Sequence, residues 1–195
     1  SCLIGIILGI VLCWLRCCCG GYILEATNMW IGLVLGIPDV IFLMLMFYVV
    51  FNKLVISPEF AAITTFSIIF SAYASDIFKS GIESVQQGQL EAAIALGYKP
   101  YRGFIKIILP QAIVFFLPAL RGAIINLLKN TSIVGYVAIQ DLTKISDAIR
   151  ARTLDPFFPL VITAIIYFVM SYMIIKLTDV ILAKFSRKCS LCSMV

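Results

Sequence analysis

Gly88-Gln89-Leu90-Glu91-Ala92-Ala93-Ile94-Ala95-Leu96-Gly97-Tyr98-Lys99-Pro100, with Ile107-Ile108-Leu109-Pro110 closing it, decides the reading of this chain. It is a polar island between long hydrophobic segments. Ser84 followed three residues later by Gln87 predicts a capping box, in which each side chain satisfies the other's free backbone N–H at a helix start. Gly97 predicts the left-handed residue just past a helix end, and Pro100 suits the first turn of the next helix. The stretch therefore reads as helix, tight turn, helix. Leu90, Ala93, Ile94 and Leu96 give the first helix an apolar side, with Gln86, Gln89 and Lys99 elsewhere.

Working outward, the flanks read as membrane spans. The third span covers about residues 60 to 78 and is rich in Ala, Ser and Thr, which favours close packing against other helices over lipid contact. The fourth, about residues 111 to 133, is interrupted by Pro118, Arg121, Gly122, Asn126 and Lys129. Polar groups at that depth are tolerated where they face protein or water. The fifth runs from about Phe157 to Ala183, followed by Lys184, Arg187 and Lys188. The second runs from about Trp30 to Phe51, with a turn over residues 52 to 58. Residues 20 to 29, with Gly20-Gly21, Glu25 and Asn28, read as a short connection. Residues 2 to 15 are apolar but shorter than the ~20 residues that a crossing helix needs.

Composition agrees. The chain of 195 residues is 62% hydrophobic and 13% charged, where a soluble domain carries about 25% charge. Its mean hydropathy is +1.08. The fold class is all-α: a polytopic membrane protein of about five transmembrane helices. The net charge of +5 follows from basic residues flanking spans. No basic run with interleaved aromatics marks a nucleic-acid face.

Several chemistries are excluded. The chain has no histidine, which removes the commonest general base and metal ligand. No glycine-rich loop ending in Gly-Lys-Ser/Thr is present to cradle ATP. Of the seven cysteines, Cys17 to Cys19 and the Cys189-x-x-Cys192 pair have irregular spacing for a metal site. They read as small hydrophobes at a membrane edge and on a tail. No enzyme activity, metal or cofactor is expected.

Charge sets the orientation. With the 81–110 loop and the C-terminus inside, the inner side holds Arg16, Lys79, Lys99, Arg102, Lys106, Lys184, Arg187 and Lys188. The outer side holds Lys53, Lys144, Arg150 and Arg152. Eight against four obeys the positive-inside rule.

The fixed letters at fixed offsets — Glu91-Ala92-Ala93, Gly97, Ile107, Leu109-Pro110 — resemble the cytoplasmic "EAA" loop of permease subunits in binding-protein-dependent ABC importers. Ser71-Ala72-Tyr73, Asp76, Gly81-Ile82, Ser84-Val85, Gly88-Gln89 and Pro110-Gln111-Ala112 extend the likeness toward the polar amino acid branch. The likeness runs from about Leu15 to about Lys188. It implies a single transmembrane domain over residues 1–188, entered part-way into its first span, with a tail over 189–195. It implies a coupling role toward a separate ATPase for Gly88, Gln89, Glu91, Ala92, Ala93 and Gly97. It further implies a second permease subunit, identical or related, an extracytoplasmic substrate-binding protein, and a multi-pass location in the cytoplasmic membrane. The rival expectations are an importer of methionine or an inorganic anion, and a non-transporting membrane scaffold.

The string Leu128-Lys129-Asn130-Thr131-Ser132 resembles a Lys-Asp/Asn-Thr-Ser-Leu segment of the amino acid permeases. A lysine inside a span costs on the order of 3 kcal/mol to insert. Asn126, Lys129, Asn130, Thr131 and Ser132 are therefore expected to line a translocation pathway, with Lys129 meeting a substrate carboxylate. The alternative is a snorkelling structural lysine. Arg121 is expected to hold the fourth span against a neighbour. Asp76 with Lys79, and Lys176 with Asp179, are spaced to pair along their own helices. The likeness departs at the second span, where members carry Arg-Gly-Thr-Pro and this chain carries Leu35-Gly36-Ile37-Pro38.

Overall fold

The computed structural model describes residues 1–52, 56–86, 88–137 and 139–192, with side chains described as far as Phe185. Among these residues every regular element is helical. The helices are α1 (Cys2–Cys18), α2 (Tyr22–Gly36), α3 (Asp39–Leu45), α4 (Pro58–Glu83), α5 (Gly88–Ala95), α6 (Pro100–Gly103), α7 (Leu109–Asn130), α8 (Leu142–Thr153) and α9 (Phe157–Cys192). Wide π-turns extend α3 over Met46–Val50 and join α6 to α7 over Phe104–Ile108. A tighter 3₁₀ turn, Thr131–Val137, ends α7.

Three helical stretches are long and apolar enough to cross a membrane unaided: Pro58–Glu83, Pro100–Val137 and Phe157–Phe185. The bent pair α2–α3 is long and apolar enough to count as a fourth if its two arms form one span, and α1 is a shorter apolar helix of 17 residues.

α4 is the centre of the molecule. Ser57 caps it, accepting from the Phe60 N–H at 3.4 Å, and Pro58 opens its first turn. Ala72, Ala74, Thr65 and Ser75 are fully buried along it. These small and hydroxylated side chains let a neighbour approach closely. α1 does so, running in the same direction as α4. A Cβ added at Gly5 would lie 2.8 Å from the Phe70 ring, and one at Gly9 would lie 2.7 Å from the Ala74 Cβ. The Thr65 and Ser67 hydroxyls donate to the carbonyls of Ala61 and Ile63 four residues back, so their burial leaves them satisfied. α7 packs antiparallel to α4, with Phe78 and Phe116 edge to face at 5.0 Å. α9 packs antiparallel to α7, fastened by Arg121 to Asp179 at 2.6 Å. α8 lies across the far ends of α7 and α9.

Four expectations are corrected. The second span is not one helix over 30–51: the chain turns by 105° between α2 and α3. Ile37 and Pro38 are extended, because proline has no N–H to continue a helix and pushes the preceding residue out of the helical region. Residues 22–29 are not a connection but the first half of α2, since only Gly20 and Gly21 interrupt the helix. Asp76 pairs with Arg16 of α1 at 2.5 Å, and Lys79 with Glu83 at 3.7 Å. Asp179 pairs with Arg121, while Lys176 lies over the Tyr172 ring at 5.4 Å. In both cases a guanidinium from a neighbouring helix wins the carboxylate, because pairs along one helix contribute only a few tenths of a kcal/mol. Arg121 does hold the fourth span to a neighbour, as its place in the span implied.

Candidate functional site

The polar island hangs from the end that α4 shares with the start of α6. Ser84 does not open α5. It ends α4, its hydroxyl donating to the Ser80 carbonyl at 2.7 Å. Its expected capping partner Gln87 lies outside the described residues. Val85 turns inward, and with Ile108 and Ala112 forms a small second core that fixes the loop to the base of α7.

α5 is eight residues long. It ends in a Schellman turn: the Tyr98 N–H donates to the Ala93 carbonyl at 3.1 Å and the Gly97 N–H to the Ile94 carbonyl at 2.9 Å. Gly97 has φ +86°, the left-handed conformation that glycine adopts without steric cost. Lys99 then stands outside the next helix and Pro100 opens it. The turn chemistry read from the sequence is therefore present.

Only Ala93 of α5 is buried, at 1% exposure. It rests on Gly103 of α6, where an added Cβ would come within 3.2 Å of the Ala93 Cβ. The two elements meet almost backbone to backbone, and the remaining face of α5 points away from the bundle. Glu91 and Ala92 are exposed, as are Ile94, Leu96, Tyr101 and Ile105. Gly88 is exposed and Gln89 half-buried. One end of the molecule thus presents the Glu91 carboxylate together with bare apolar side chains and the exposed bases Lys99, Arg102 and Lys106. Lys106 sits 5.9 Å from the Tyr98 ring centre and Arg102 5.8 Å from that of Tyr101.

The second set lies on the end of α7 and the 3₁₀ turn that follows it, and does not converge on one cleft. Asn126 and Asn130, four residues apart, share the face toward α4 and line a cleft of about 440 Å³ with Phe66, Phe70, Tyr73 and Asp39. The Asn130 amide donates to the Asp39 carboxylate. Lys129 and Ser132 point the other way, into a separate cleft of about 550 Å³ against α8 and α9, lined also by Thr143, Arg150 and Tyr167. Thr131 and Ser132 donate back to the carbonyls of Leu128 and Lys129 at 2.7 and 2.8 Å. Adjacent residues stand about 100° apart round a helix of 3.6 residues per turn, so Lys129 and Asn130 open onto different clefts.

Asp39 lines the α4 cleft, and sequence reading passed over it. Its signal was present: an ionisable side chain within a stretch read as a span is a functional candidate by default.

Comparison with known proteins gives four findings. Residues 4–188 match the family described as the binding-protein-dependent transport system inner membrane component. The arginine transport system permease protein ArtQ of Bacillus subtilis is 32% identical over 87% of this chain and 78% of its own length. A putative glutamine transport system permease protein, GlnP of Rickettsia bellii, is 35% identical over 58% of this chain, and the match spans about half of that relative, 52%. Among solved structures, an amino acid ABC transporter with histidines superposes with a TM-score of 0.83 at 31% identity, covering 94% of this chain and 86% of that one.

Proposed function

The chain belongs to the family of binding-protein-dependent transport system inner membrane components, and on that premise we propose that it is the permease subunit of an ABC importer for polar or charged amino acids. Residues 1–188 form its single transmembrane domain in the cytoplasmic membrane. A separate ATPase drives it, a second permease subunit completes the pathway, and an extracytoplasmic binding protein delivers the solute.

One observation carries this reading: α5 rests on the loop and α6 through Ala93 and Leu90, and presents Glu91, Ala92 and its apolar neighbours outward. A helix so placed adds little to the fold of its own subunit. Its exposed carboxylate and apolar rim suit a cleft on an ATPase with a basic group in it. The close contact with α6 passes movement of that cleft to the spans. Gly88 and Gln89 lead the chain into this helix and Gly97 reverses it. Names of relatives support the solute class: ArtQ is named for arginine and the Rickettsia protein for glutamine.

The pathway wall in this reading is the far half of α7. Asn126 and Asn130 face the α4 cleft. Lys129, Thr131 and Ser132 form its other flank, and that flank meets α8 and α9.

The test is a reconstituted complex in liposomes, with the ATPase and binding protein, assayed for uptake of labelled amino acids and for ATP hydrolysis. Gly97→Val should leave membrane insertion intact while uptake and co-purification with the ATPase are lost. A branched side chain at φ +86° costs about 1–2 kcal/mol and dissolves the turn. Unaltered uptake by Gly97→Val would count against the coupling role. Solute-independent ATPase binding with no uptake of any solute would favour a scaffold. Uptake confined to methionine or an inorganic anion would move the solute class.

A further inference from the structure

We infer that Asp39 is a specificity-determining residue: its carboxylate is the counter-ion for the cationic end of the solute in the cleft between α4 and α7. The inference rests on the transport reading and names the chemistry that the cleft selects.

The cleft lining is mostly hydrocarbon and aromatic: Phe66, Ile69, Phe70, Ile77, Ala119, Leu127. Against that background stand two amides, Asn126 and Asn130, one phenol, Tyr73, and one carboxylate, Asp39. Asp39 is the acid among the lining residues, and no lysine or arginine accompanies it there. Lys129, which the sequence placed beside Asn130, opens into the other cleft. The sign of the cleft is thereby reversed from the sequence expectation: it is negative, not positive.

A carboxylate held in an apolar wall needs partners for its four lone-pair sites. The Asn130 amide occupies one of them. An ammonium supplies two or three further donors and cancels the charge, and such charge-assisted bonds are the strong ones. Asn126 and Tyr73 offer both donor and acceptor atoms to the rest of a zwitterion. An anionic solute with no cationic group would meet a like charge and is disfavoured. Every free amino acid brings an α-ammonium, so the cleft accepts the class and rejects inorganic anions.

Asp39 also sits in the first turn of α3, where a carboxylate stabilises a helix. The substitution D39N separates the two roles, because asparagine keeps the hydrogen-bonding shape and loses the charge. The measurement is equilibrium binding of labelled L-glutamine and N-acetyl-L-glutamine to the permease–ATPase complex in nanodiscs. The second probe lacks the ammonium. Wild-type complex should bind L-glutamine roughly tenfold to a hundredfold more tightly than its acetylated form, the range for one charge-assisted bond. D39N should erase that gap. The exchange D39N with N130D, which moves the carboxylate to the neighbouring side chain, should restore part of it. A gap that persists in D39N overturns the inference and leaves the transport reading standing, since liposome uptake decides that reading. Absence of wild-type binding to both probes overturns it too. So does loss of folded complex in both D39N and the exchange, which would assign Asp39 a structural role.

Discussion

α4 and α9 are both long membrane helices, and they bury opposite shares of themselves. In the most apolar 18-residue stretch of each, 61% of α4 is buried and 6% of α9. The buried one is the less apolar by composition, filled with Ala, Ser, Thr and Phe, while α9 carries Leu, Ile, Val, Met and Phe facing outward. In water the order would be reversed. Lipid tails are as apolar as leucine, so apolarity gives no reason to hide from them. What draws helices together in a bilayer is close backbone approach and satisfied hydroxyls. α4 offers close approach to α1 and α7 with the hydroxyls of Thr65, Ser67 and Ser71 satisfied and that of Ser75 alone left without a partner among the described residues, and α9 holds on mainly through α7 and one ion pair.

The sharpest way to break this contrast is a large side chain on the α1–α4 seam. Gly9→Leu should lower stability by about 3 kcal/mol or more, because its Cβ alone would sit against the Ala74 Cβ and overpacking at such contacts is costly. Thermal unfolding in nanodiscs would register it, and a wild-type transition would mean that α1 does not pack as described. Next is Lys129, on the flank of α7 that faces α9. If it lines the pathway, Lys129→Met should reduce uptake per folded complex about tenfold, the worth of one charged hydrogen bond, while Lys129→Arg keeps part of it. A structural lysine would instead lower the amount of folded protein with uptake per molecule unchanged.

Smaller again is the α7–α9 ion pair, whose partners are 31% and 49% exposed. Arg121→Met should cost about 1 kcal/mol after screening is allowed for, and adding Asp179→Leu should cost no more than the single change, since it removes the orphaned charge. Additive losses in that double-mutant cycle would show that the two residues act separately. Smallest is Leu177→Ala on the outer face of α9, 65% exposed, which should shift stability by no more than about 0.5 kcal/mol. A loss of several kcal/mol there would place a protein neighbour, not lipid, against that face.

How much was legible in the sequence follows the same physics. The long apolar runs gave the all-helical fold, and the small-residue character of α4 marked it as the packed one. Gly97 and Pro100 were readable because each is chosen for a backbone angle, which is a local property. Pairings between helices were not: Arg16 with Asp76 and Arg121 with Asp179 span 60 and 58 residues, and spacing within one helix says nothing about a guanidinium arriving from another. The same blindness joined Lys129 to Asn130 as neighbours in sequence, when the helix turns them to different clefts. The bend before Asp39 was signalled by Gly36 and Pro38, and reading through it as one span hid the acid just beyond.

The joint between α6 and α7 has a mechanical consequence. From Pro100 to Val137 the backbone is a single helical stretch of 38 residues, and its lower end carries Gly103, the seat of Ala93. From Gly103 to Asn126 such a rod measures about 35 Å at 1.5 Å per residue. A tilt of about 5° at the seat would then sweep Asn126 through about 3 Å, roughly the length of a hydrogen bond. The π-turn at Phe104–Ile108 lies close to the fulcrum, where any angular give is multiplied by nearly the whole length of the rod. Under the proposed coupling, very little movement under α5 would be enough to exchange one set of polar partners for another at the far end of the lever.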